Sequence, residues 1–168
     1  NRRLGYAARM TTSILASVDP ARSLVEARTG EGNLVAMDTD PPEGDASAAR
    51  PKEVLLSALA GCTSMDVASI LRKKRQSATG YRVAVSGESG EEHPRVFQSI
   101  TVEHRVEGEV DAEALRRSIE LSSTRYCPVN AMLSASATIE HWYRLNDPDL
   151  AGEAVLVAVT GPGGSRVL

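Results

Sequence analysis

The chain has 168 residues, 42% of them hydrophobic and 24% charged, a composition that suits one globular domain whose core, with one Trp and one Phe, is mainly aliphatic. A formal charge of -3 excludes a general electrostatic pull toward nucleic acid or anionic lipid. No apolar run is expected to reach the roughly 20 residues that span a bilayer, and the basic Asn1-Arg2-Arg3 leads into no signal-peptide core, so the chain reads as cytoplasmic.

The first elements are short strands. Arg9 to Val18 is rich in Thr, Ile and Val, Asp19-Pro20 signals a turn, and Ser23 to Arg28 returns. After Thr29-Gly30-Glu31-Gly32, residues Asn33 to Asp38 complete an antiparallel meander. Residues 40–50, rich in Pro, Gly, Ala and acids, read as a mobile loop.

Pro51 to Gln76 is the strongest helix signal. Pro51 suits the first turn, Glu53 its positive end, and Arg72-Lys73-Lys74-Arg75 its negative end. Val54, Leu55, Ala58, Leu59, Cys62, Met65, Ala68 and Leu71 leave so thin a polar face that burial nearly all round is expected. Alternation predicts strands from Tyr81 to Glu88 and from Val96 to Val106, then a helix from Ala112 to Ser123 with Leu115 and Ile119 inward. Pro128 could open a short third helix, Val129 to Ser134, and Ala137 to Leu145 reads as a last strand. Residues 1–145 form the expected domain. Residues 146–168 are an extension, either an added strand or a flexible tail.

Two cysteines, Cys62 and Cys127, stand 65 positions apart, too few for a secreted disulfide scaffold. Cys62 lies mid-helix among Ala58, Ala60, Gly61, Thr63 and Ser64. These small residues admit a ligand or a close-packed backbone equally well. Cys127 precedes a helix start and follows Arg125, a setting expected to depress a thiol pKa. Asp66, four residues past Cys62, shares its face, and a carboxylate there would raise a thiol pKa. His93, His104 and His141 have no metal-ligand spacing to either cysteine, so no metal is expected.

The segment Pro51-Lys52-Glu53-Val54-Leu55-Leu56-Ser57-Ala58-Leu59-Ala60-Gly61-Cys62-Thr63-Ser64-Met65-Asp66-Val67 resembles the first-cysteine helix of the OsmC/Ohr superfamily, and Tyr126-Cys127-Pro128-Val129-Asn130 resembles its second-cysteine motif. The resemblance runs from about Thr11 to Leu145. It implies an α+β fold in which antiparallel sheets wrap central helices and two chains interlace as a homodimer. It also implies reduction of organic hydroperoxides, with Cys62 attacking the peroxide and Cys127 closing a disulfide that an external dithiol, of lipoyl type in the best-known members, reopens. No bound cofactor is implied. The peroxidase branch carries a Glu directly after the helix-starting Pro and an Arg in the turn between its first two strands. Here Glu53 stands one place later, and Arg22 after Asp19-Pro20 is the nearest Arg; these two are the expected substrate-binding residues. The competing expectation is a small-molecule-binding or thiol-sensing protein on the same scaffold.

Overall fold

A computed structural model of the chain describes residues 11–168. Arg9 and Met10 of the expected first strand, and Asn1-Arg2-Arg3, lie outside the described residues. The chain divides into two compact units, Asn1–Val54 and Leu55–Leu168.

The first unit is the expected meander: β1 (Ile14–Asp19), β2 (Leu24–Thr29) and β3 (Leu34–Met37), antiparallel and in that order. Asp19 Oδ1 accepts from the Ala21 N–H at 3.0 Å, an Asx turn that starts the first reversal. The loop after β3 is anchored by Asp38, whose Oδ2 accepts from Ser47 N–H and Oγ–H at 2.8 and 2.7 Å. Those donors and the Thr39 N–H hold the Asp38 carboxyl down to about 2. The sheet leaves its apolar side chains uncovered within the unit: Leu15 is 76% exposed, Ile14 62% and Val18 60%.

The second unit holds α1 (Pro51–Lys73) from Leu55 onward, β4 (Ser77–Ser89), β5 (Phe97–Glu109), α2 (Ala112–Leu121), α3 (Pro128–Leu133), β6 (Thr138–Leu145), β7 (Val155–Gly161) and β8 (Gly164–Val167). Its sheet runs β4-β5-β6-β7-β8. All pairings are antiparallel except β5 with β6, which the helical crossover makes parallel. The segment after Asn146 thus supplies two strands to this sheet. At Gly108 the backbone turns to φ +124°, where a Cβ would strike the Ser77 carbonyl, so only glycine fits there.

Two expectations for α1 are corrected. It buries one stripe, Leu59, Thr63, Val67 and Leu71, and not its whole circumference, leaving Leu55 and Met65 exposed. It is also long and apolar enough to cross a membrane by length and composition, against the expectation that no run would be. A core helix passes the same test, and the stripe packs as one: Leu59 joins the cluster of Ile100, Val102 and Ile139, while Val67 and Leu71 join that of Val106, Leu115, Ile119 and Val157.

Between these two apolar clusters lies a polar layer. Thr63 sits between Leu59 and Val67 on α1, His104 between Val102 and Val106 on β5, and His141 beside Ile139 on β6; all three are fully buried. Each such group needs a partner to offset its lost hydration. Cys127 belongs to the apolar cluster of Leu59, Ile100 and Ile139, and Cys62 packs against that cluster.

Candidate redox site

The helix expected through Ser123 ends at Leu121 and continues as a π-helical turn, Ser122–Tyr126. Ser123 Oγ and Thr124 Oγ1 donate back to the Glu120 carbonyl at 3.1 and 2.7 Å, competing with the regular ladder. The Cys127 N–H closes the wide turn on the Ser122 carbonyl at 3.0 Å. Cys127 then caps α3, its Sγ accepting from the Asn130 N–H at 3.3 Å, with Pro128 as the first helical residue. This places Cys127 Sγ 2.6 Å from Cys62 Sγ. Both thiols are free, and the gap is only slightly wider than the roughly 2.05 Å of a disulfide.

The expected depression of the Cys127 pKa does not hold. Burial, followed by the hydrogen bond to Cys62, pushes the Cys127 thiol up to about 12, and the opposing Asn130 and Val129 N–H groups are outweighed. Arg125 is exposed and lies over the Tyr126 ring at 5.6 Å. Cys127 therefore keeps its proton and donates it toward Cys62. Cys62 is half-buried and is the more exposed of the two cysteines. A Cβ built on Gly61 meets no atom within 4 Å, so packing inside this chain does not demand that glycine.

Asn130 joins Cys127 to the polar layer. Its Nδ2 donates to the Ser123 carbonyl at 2.7 Å and to Thr160 Oγ1 at 3.1 Å, so its Oδ1 faces His141 Nε2 at 2.9 Å as an acceptor. His141 consequently carries its proton on Nε2. Burial lowers the His141 pKa to about 4 and holds His104 well below the usual imidazole range. His104 stacks on His141 at 6.0 Å and pairs through Nδ1 with Tyr81 Oη at 2.6 Å. All three partners stay uncharged, and burial raises the Tyr81 pKa.

Asp66 is the group the sequence reading set aside. Its carboxylate and the two sulfurs lie within 4.8 Å of one another. Ser122 Oγ donates to Asp66 Oδ2 at 3.0 Å, and Thr63 Oγ1 stands 3.1 Å from Ser122 Oγ. Cys62, Asp66 and Cys127 are the donor set that could hold a metal ion among the described residues. Two thiolates on a tetrahedral zinc stand about 3.7 Å apart, given bonds near 2.3 Å. The present pair would have to part by roughly 1 Å to admit one. The geometry favours a sulfur–sulfur bond.

The other expected residues are placed as follows. Arg22 forms an exposed ion pair with Asp45, Nη2 to Oδ2 at 2.7 Å. Glu53 closes a capping box: its Oε2 accepts from the Arg50 N–H at 2.8 Å and its Oε1 pairs with the Arg50 guanidinium at 3.0 Å. Arg50 also pairs with Asp40. Sequence reading missed Asn130, His104 and His141. The two histidines had a signal, since each occupies an inward position of an alternating strand.

Comparison with known proteins accords with this geometry. The family model described as OsmC-like protein matches residues 44–141. The chain is 36% identical over 118 residues to Protein YhfA of Escherichia coli (strain K12), covering 70% of this chain and 86% of that one. An OsmC-like protein from Mycoplasma pneumoniae superposes with a TM-score of 0.71 at 18% identity, covering 82% of this chain and 98% of the other. An organic hydroperoxide resistance protein from Elizabethkingia anophelis superposes with a TM-score of 0.64 at 13% identity, covering 84% and 100%. The two structural likenesses speak for the fold alone.

Proposed function

The chain belongs to the OsmC-like protein family, and from that premise we propose that it is a thiol-dependent peroxidase that reduces organic hydroperoxides in oxidative-stress defence. The observation that carries this reading is the 2.6 Å approach of Cys127 Sγ to Cys62 Sγ. The half-buried Cys62 sulfur attacks the peroxide and becomes a sulfenic acid. Cys127, buried and held protonated beside it, condenses with that sulfenic acid to a disulfide with loss of water. An external dithiol, of lipoyl type, reopens the disulfide by exchange. The substrate class rests on the resemblance of the two cysteine motifs to those of the OsmC/Ohr superfamily.

The working unit of the proposal is a cytoplasmic homodimer. The uncovered apolar faces support it: Leu15, Ile14 and Val18 in the first unit, and Leu55 and Met65 on α1 in the second. Arg22 and Glu53 are the proposed substrate-binding groups. Because both are held in ion pairs with Asp45 and Arg50, the same scaffold could serve as a thiol sensor without turnover, which is the second reading.

Consumption of cumene hydroperoxide with dihydrolipoamide as reductant decides between them. Turnover by the native protein, lost in Cys62→Ser, is the expected result. Equal background rates for both proteins would remove the peroxidase reading.

A further inference from the structure

We infer that Asp66 is the proton carrier of the dithiol, taking the Cys62 thiol proton and returning it to the alkoxide released when the peroxide O–O bond breaks; this deepens the peroxidase reading and rests on it. A carboxylate oxygen within 4.8 Å of both sulfurs is at the distance that one substrate oxygen spans, with a sulfur on one side and a hydrogen bond on the other. Among the described residues, no histidine and no other carboxylate groups with both sulfurs at that range. Asp66 lies one helical turn past Cys62 on α1, so the two side chains share a rigid frame.

Its orientation is built in. The Ser122 hydroxyl has one proton and directs it to Asp66 Oδ2 at 3.0 Å. Thr63, 3.1 Å from Ser122 Oγ, must then donate to Ser122. Thr63 and Ser122 are fully buried, so this chain holds the carboxylate from the protein side.

The steps balance. Asp66 accepts the Cys62 proton; the thiolate attacks the terminal oxygen of ROOH, the O–O bond breaks, and Asp66 protonates the departing RO⁻ to ROH. Cys62 is oxidised by two electrons to the sulfenic acid, and the peroxide is reduced by two. In the second step the Cys127 thiol proton passes through Asp66 to the leaving hydroxide as the S–S bond forms. The sum is two thiols and ROOH giving a disulfide, ROH and water. A proton carrier matters where a leaving oxygen must be protonated, which attack on an alkyl halide does not require.

The test exploits this difference between the two reactions. In the reduced protein, Cys62 oxidation by cumene hydroperoxide and Cys62 alkylation by iodoacetamide, an uncharged electrophile that needs no proton donor, are timed in parallel. Asp66→Asn, which still accepts from Ser122, is expected to slow oxidation about 100-fold while alkylation stays near the native rate. Ser122→Ala, which keeps the carboxylate but frees it, is expected to slow oxidation about tenfold, and Asp66→Glu to restore part of the rate. Unchanged oxidation in Asp66→Asn, or a fall of both rates together, overturns the role of Asp66. A native protein that is alkylated but inert to peroxide overturns the peroxidase reading itself.

Discussion

His141 Nε2 donates to Asn130 Oδ1 at 2.9 Å, and the backbone N–H of the same Asn130 donates to Cys127 Sγ at 3.3 Å. One residue thus couples the polar layer of the sheet, through its side chain, to a reacting sulfur, through its backbone. In His141→Leu the buried Oδ1 loses its donor, which costs about 1–3 kcal/mol, measurable by urea unfolding. Disulfide closure after Cys62 oxidation should slow, while alkylation of Cys62 stays near the native rate. A variant with native stability and native closure would show that this bond does not position Cys127.

The neutral histidines make stability fall in acid. His141 has a folded pKa of about 4, below the usual imidazole value near 6.5, so the unfolded chain binds protons that the folded chain refuses. The contribution is whole above pH 6.5 and is lost as pH drops toward 4, by about 3 kcal/mol from His141 alone at the lower end. His104 shifts the same way and adds to the slope. Urea midpoints that stay flat between pH 6.5 and 4 would contradict both assignments.

The two thiols should behave asymmetrically. With its pKa pushed up to about 12, Cys127 stays protonated through the neutral range and resists alkylation in the folded protein. Cys62→Ser should therefore leave a chain that iodoacetamide labels slowly at pH 8 and at the rate of a free thiol once unfolded. Cys127→Ser should accumulate a Cys62 sulfenic acid that dimedone traps. Rapid labelling of the lone Cys127 in the folded chain would reverse the assigned roles.

The strands up to β6, α1 and both cysteines were legible because they rest on local pattern: alternation, a Pro start and small residues around Cys62. The pKa of Cys127 was misread because it depends on burial against Cys62 and Val129, which no local window contains. Asp66 was set aside for a related reason. The helix spacing placed it beside Cys62 correctly, but its clamp comes from Ser122, 56 positions away. The π-helical turn that brings Ser122 there depends on Ser and Thr side chains bonding back to Glu120, which a helix periodicity does not register. The contacts of Glu53 are local: Arg50, three residues earlier, holds its carboxylate through both the backbone N–H and the guanidinium.

The uncovered sheet of the first unit carries the last prediction. Leu15 is 76% exposed on β1, and a charge at so open a position changes a monomer's stability by no more than about 0.5 kcal/mol. If a second chain covers that face, Leu15→Lys buries an unpaired ammonium at the interface and weakens association by several kcal/mol, as desolvated unpaired charges do. Sedimentation equilibrium separates the two cases. The native protein is expected to sediment as a dimer at micromolar concentration and Leu15→Lys as a monomer, with strand content unchanged by circular dichroism. A native monomer, or a variant that dimerises as tightly as the native chain, would leave the apolar face of β1 without the partner proposed for it.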